Sequence, residues 1–217
     1  PEAFDALALA HGGEITPLAG EIAARREAFT VPVDAARLWR ALGLPEGHDR
    51  AALAGEVFTG GEPALWQALL PALEAGSVKD VKAAGKLRGI DPACPDIEAL
   101  TILEDVLLYG ETAKAGPFTA KIGAFPTKDT RAALGEVIEE LDALMARVES
   151  ARARRLALEL AGRSLALHRF AAPFLARYEA RKAALGALDF DDLILKARDL
   201  LADEGRAAWV LYRLDGE

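Results

Sequence analysis

The 217-residue chain is 52% hydrophobic but only 6% aromatic, and its 28% charged residues leave a net charge of -8. Alanine and leucine lose little on entering a helix, and aromatic residues are scarce, so the composition favours helices and excludes a disordered chain. No charge-free apolar run of about 18 residues occurs, which excludes a spanning segment, and the single Cys94 excludes an internal disulfide and fits a reducing, cytoplasmic setting.

The start, Pro1-Glu2-Ala3-Phe4, lacks a methionine, a basic stretch and a signal-type apolar core, and Leu214–Glu217 gives no clear stop. Both ends read as cuts in a longer polypeptide. Short helices are expected over Pro1–Ala10, Pro17–Phe29, Asp34–Leu42, Asp49–Phe58, Glu62–Ala75, Ser77–Leu87 and Asp96–Tyr109. Asp34, Ser77 and Asp96 are natural N-caps, and Gly12-Gly13, Gly43, Gly60-Gly61, Gly76 and Gly89 punctuate the series. No fixed repeat appears.

Between residues 110 and 127 the glycines and prolines prevent a long helix, and Thr119–Ala124 has room for one short strand. From Asp129 to Leu185 the pattern is helical again. Leu134, Val137, Leu141, Leu144 and Val148 share one face, and Leu156, Leu160, Leu167, Ala171, Phe174, Tyr178 and Leu185 continue it. Pro173 predicts a kink or break, because its ring clashes with the carbonyl of Arg169. Asp189 caps a further helix through Ala202, and a last one is expected around Trp209 and Leu214. The expected fold is therefore all-α, with a long kinked helix pair and smaller helices packed across it. Its parts are an acidic bundle of short helices (1–109), a basic Gly/Pro-containing loop (110–128), long basic helices (129–186) and C-terminal helices (187–217), within one domain.

No complete catalytic site can be assembled. A phosphate-binding Gly-x-x-x-x-Gly-Lys-Ser/Thr loop is absent, the nearest text, Asp80–Leu87, failing at both ends. Leu200-Leu201-Ala202-Asp203-Glu204 imitates an apolar strand with an acidic pair but reads as a helix end before Gly205. His11, His48 and His168 are too scattered for metal ligation, Cys94 has no partner nearby, and no nucleophile has a recognisable base.

Charge is distributed unevenly. Residues 1–109 hold nine Lys/Arg against seventeen Asp/Glu, whereas Arg147–Lys182 carries nine basic residues against three acidic ones. That helical stretch is either a solvated face or a phosphate-binding one, since arginine forks match phosphate oxygens. The phosphate alternative selects Lys121, Lys128 and Arg131 around the loop and Arg152, Arg154, Arg155 and Arg163 on the long helix.

The text Ala187-Leu188-Asp189-Phe190-Asp191-Asp192-Leu193-Ile194, with the ending Ala207–Gly216, resembles the stretch before the Walker B strand of UvrD/Rep-type superfamily 1 DNA helicases. The wording is most similar to AddA-type helicase–nuclease subunits of alphaproteobacteria, as is Phe125-Pro126-Thr127-Lys128 in the basic loop. The resemblance covers the last 30 or so residues and this loop; the first 109 residues share only their helical, Ala/Leu-rich character. It implies a helical 1B subdomain inserted into the first motor domain, holding duplex DNA ahead of an ATP-driven machine for double-strand break repair and recombination. Asp189, Phe190, Asp191, Asp192 and Leu193 are the residues of the family-like motif. ATP, magnesium, the nuclease site and an AddB-like partner subunit belong by resemblance to the parent enzyme, and no catalytic residue, cofactor or metal ligand transfers to this chain. The alternative is a helical interaction module that docks a partner subunit without touching DNA.

Overall fold

In the computed structural model, residues 15–202, 210, 212 and 213 are described. The helix expected over Pro1–Ala10 lies outside the described residues; of the one expected around Trp209 and Leu214 only Val210, Tyr212 and Arg213 are described, and these are helical.

The capping residues start helices as their chemistry dictates. Asp34 accepts from the Ala36 amide (3.0 Å) and opens α2 (Ala35–Ala41), after α1 (Thr16–Ala24) and a 3-10 turn (Arg26–Phe29). Asp49 accepts from Ala52 N (2.8 Å) ahead of α3 (Arg50–Val57), and Asp96 from Ala99 N (2.8 Å) ahead of α6 (Ile97–Leu107). Between them lie α4 (Glu62–Glu74) and α5 (Val78–Leu87), the latter opened by a reciprocal capping box between Ser77 and Asp80. Then follow α7 (Lys128–Leu134), α8 (Val137–Leu185) and α9 (Phe190–Ala202). Among the described residues there is no strand, so the fold class is all-α. The short strand expected within Thr119–Ala124 is reduced to one antiparallel bridge between Leu108 and Ala120.

The long helix corrects the sequence in two respects. It runs unbroken for 49 residues through Pro173, in place of a helix pair. Proline removes one backbone hydrogen bond, and the many helical residues on either side outweigh that local cost. The buried stripe also departs from the expected one. Leu141, Leu144 and Val148 are buried, but the stripe continues through Ala151, Arg155, Leu158 and Ala161, leaving Leu156 and Leu160 about half exposed. The steps from 141 to 148 to 155 and from 144 to 151 to 158 are each seven residues, a heptad-like spacing. An arginine occupies one of its inward positions, which hid the register from a purely apolar pattern.

Asp34–Gly162 form one compact unit; the described residues of Pro1–Val33 and Arg163–Glu217 form another. We call these the central and the flanking unit, by their places in the sequence. The charge break at residue 109 falls inside the central unit. In that unit α4 packs on α5 and α7, and α6 packs on α3 and α5. They close around a core that includes Leu53, Leu69, Leu73, Leu87, Leu103 and Met145, each shielded from solvent. In the flanking unit Ile22 and Ala171 are buried, and Phe29 packs against the His168 ring (centroids 4.9 Å apart).

Candidate nucleic-acid interface

Helix α5 places Lys79, Lys82 and Lys86 at steps of three and four residues, on one face, while Asp80, Ala83, Ala84 and Leu87 turn into the core. Across from this stripe, Lys121 and Phe125 of the basic loop complete a cleft of about 340 Å³ that also exposes Asp105 and Thr127. Four lysines therefore meet two carboxylates, and one of these, Asp80, is already engaged inside the fold. Lys86 is paired with Asp105, and Lys121 Nζ donates to the Val106 carbonyl (2.6 Å). Burial pushes the Lys121 ammonium below its usual range; Asp105 opposes that shift and the Lys86 charge reinforces it. Lys79 and Lys82 are exposed and carry no ion pair, as is Lys128 beside the cleft-lining Thr127.

A buried carboxylate holds this loop against α5. Asp80 accepts from Ser77 N and Oγ (3.0 Å each), from Thr127 N (3.1 Å), from the Thr127 hydroxyl and from Thr130 Oγ1 (2.9 Å). Burial alone would raise its pKa, but these donors, the Thr127 hydroxyl foremost, hold it below the usual carboxylate range. The approach is so close at Gly76 that an added Cβ would stand 2.6 Å from Thr130 Oγ1 and 2.7 Å from Asp80 Oδ2. Farther along the loop, Ala120 N donates to Glu149 Oε2 (2.9 Å), and Phe118 adopts a left-handed backbone (φ 56°) beneath Arg152. The Phe125–Pro126 peptide is cis.

Most of the arginines selected from the sequence are committed inside the fold. Arg131 grips Asp142 with both guanidinium arms (3.0 and 2.7 Å) and donates to the Phe125 carbonyl (2.7 Å). Its hydrogen bonds to Asp142 raise its already high pKa. Arg155, 6% exposed, forks onto Glu104 and reaches Glu159 (2.6 Å), and the Glu104 bonds likewise stabilise its charge. Arg152 lies 3.5 Å from Glu104 and stacks over the Phe118 ring at 3.7 Å. Arg154 pairs with Glu56 (2.8 Å), and the neighbouring Arg147 with buried Glu62 (2.7 Å). Of the seven selected residues only Lys128 and Arg163 are exposed without a partner. The acidic first half and the basic long helix thus neutralise one another within the central unit, a complementarity that linear charge counts do not reveal. Lys79 and Lys82 were missed because they lie in a stretch whose net charge is acidic; their spacing along α5 was the available signal.

The family-like motif is a clasp in the flanking unit. Asp189 and Asp192 cap α9 reciprocally, each accepting the other's amide at 2.9 Å. Lys182 Nζ bonds Asp189 (2.9 Å) and Asp192 (2.7 Å); Arg26 bonds Asp189 (3.0 Å), Asp192 (2.9 Å) and Asp191 (3.3 Å). Tyr178 adds its hydroxyl to Asp189 (2.8 Å). Burial opposes the charged forms, but this mutual pairing holds Asp189 far below and Lys182 well above their usual ranges. Phe190 and Leu193, by contrast, point outward, 76% and 52% exposed. Among the described residues no helix is long and apolar enough to cross a membrane. No family model, curated protein or solved structure matches the chain.

Proposed function

We propose that the central unit contacts the phosphate backbone of duplex DNA through the lysine cleft between α5 and the basic loop. The chain would then serve as a non-catalytic subdomain of an ATP-dependent helicase–nuclease acting in double-strand break repair and recombination. The observation that carries this is the convergence of Lys79, Lys82, Lys86 and Lys121 on one open cleft, with Lys128 beside it, in a unit whose long-helix arginines, Arg147, Arg152, Arg154 and Arg155, are paired. Lysine ammonium groups without bidentate partners suit sequence-indifferent phosphate contact. The placement within a helicase rests on the resemblance of Ala187–Ile194 and Phe125–Lys128 to that family. ATP, magnesium and the partner subunit would belong to the rest of the machine.

Anisotropy of a labelled duplex, titrated with the chain at several low salt concentrations, tests the cleft. Lys79→Ala with Lys82→Ala should weaken binding to every sequence alike and flatten the slope of log K against log salt by about two. An unchanged affinity and slope would remove the cleft from DNA binding.

The second reading, a protein-docking module, has an observation of its own. Phe190, Leu193, Ile194 and Leu201 of α9 are each more than half exposed, leaving the apolar side of an amphipathic helix in solvent among the described residues. If salt leaves binding of the parent assembly unchanged while Phe190→Asp disrupts it, docking replaces DNA contact.

A further inference from the structure

Lys121 differs from the other lysines of the cleft in how it is held. Its amide donates to the Leu107 carbonyl (2.9 Å), and two residues earlier the Thr119 carbonyl accepts from the Tyr109 amide (2.9 Å). The loop is thereby tied to the end of α6, and the Lys121 side chain is half-buried, with Nζ donating to the Val106 carbonyl (2.6 Å). Lys79, Lys82 and Lys86, on α5, are exposed.

The charges around this amine are unevenly spent. Lys86 and Asp105 line the cleft as an ion pair, and Asp80 is occupied by donors from Ser77, Thr127 and Thr130. Lys79 and Lys82 have no ion-pair partner among the described residues. An amine partly withdrawn from water and facing another ammonium holds its proton less tightly, which is the direction found for Lys121. A lysine desolvated beside other cations is a better nucleophile at neutral pH, since only the neutral amine attacks. In that form Lys121 can keep its bond to the Val106 carbonyl with one hydrogen and still offer its lone pair. Two ammonium groups without counter-charges draw a small dianion into the same cleft.

We propose that Lys121 is a modification site, acylated on Nζ by an acyl phosphate whose phosphoryl group is held by Lys79 and Lys82. The nitrogen lone pair attacks the acyl carbonyl carbon, and the bond from that carbon to the phosphate oxygen breaks. Phosphate departs with the proton that the nitrogen loses, leaving an amide at Lys121; nothing is oxidised or reduced. Acylation removes one positive charge from the cleft and so weakens phosphate contact there. That consequence rests on the DNA reading of the cleft, whereas the reaction itself does not.

Acetyl phosphate is the probe. The chain is incubated with it at neutral pH, and acetylation of each lysine is followed by peptide mass spectrometry. Lys121 should react several-fold faster than Lys114 and Lys196, which are exposed and lie outside the cleft. Lys79→Ala with Lys82→Ala, both at exposed positions, should slow Lys121 to about the rate of Lys114. The same double substitution should leave its reaction with phenyl acetate, an uncharged acyl donor, unchanged. Lys121 reacting no faster than Lys114 and Lys196 would overturn the proposal, as would a rate with acetyl phosphate that survives the double substitution. Lys121→Gln, which imitates the lost charge, should flatten the salt slope of duplex binding by about 0.9. Fast acetylation of Lys121 together with an unchanged slope in Lys121→Gln would uphold the modification site and remove its consequence for DNA.

Discussion

Two stretches of the same helix treat their arginines in opposite ways. Between Val137 and Gly162, in the central unit, Arg147, Arg152, Arg154 and Arg155 all face a carboxylate: Glu62, Glu104 and Glu56. From Arg163 to Leu185, in the flanking unit, Arg163, Arg169, Arg177 and Arg181 are exposed and unpaired, and Lys182 alone is drawn into a carboxylate cluster. The residue types are the same and the helix is continuous, so the sequence pattern does not distinguish the two stretches. Their neighbours do. In the first, α3, α4 and α6 bring acidic residues across the helix; in the second, no described carboxylate pairs with the four arginines. Charge counted along a helix is therefore an upper bound on the charge available to a ligand.

The largest expected effect comes from breaking a pair on the buried side. Glu104→Ala strips Arg155 and Arg152 of their shared carboxylate and leaves Arg155, 6% exposed, with Glu159 as its remaining counter-charge. Urea denaturation should show a loss of about 3 kcal/mol, the lower end of the cost of breaking a buried pair, because Glu159 still faces Arg155. A loss below about 1 kcal/mol would mean that this stretch is as solvated as the other and would dissolve the contrast.

A smaller effect separates two kinds of buried carboxylate, those held by cations and Asp80, held by hydroxyl and amide donors. Asp80→Asn should cost about 2 kcal/mol near neutral pH, since hydrogen bonds to a charged acceptor are lost. Because the folded carboxyl titrates below its unfolded value, its stabilisation is complete above about pH 4 and fades as pH falls through the folded pKa. The gap between the unmodified chain and Asp80→Asn, followed by thermal melts from neutral to acid, should thus narrow below about pH 4. A gap that stays constant or widens on acidification would contradict that assignment.

The smallest effect belongs to the solvated side. Arg163→Ala with Arg181→Ala should change stability by less than about 0.5 kcal/mol, as expected for exposed charges without partners. A loss comparable to that of Glu104→Ala would show that these arginines are engaged after all.

The helical class and most of the helix boundaries follow from the amino-acid order alone, because capping and helix propensity are local. Asp34, Asp49, Ser77, Asp96 and Asp189 each satisfy amides within three residues of themselves, so no distant contact is needed to place them. The helix starts were legible for that reason. Which cations remain free depends instead on long-range packing. Arg155 reads as a surface residue beside Arg152 and Arg154, yet it occupies an inward position because Glu104, 51 residues earlier, neutralises it there. The α5 lysines, within an acidic half of the chain, join Lys121 only because Asp80 binds the loop through Thr127 and Thr130, about 50 residues away. Burial of a charge depends on a partner that no local pattern specifies, and pairing at such sequence separations is set by packing.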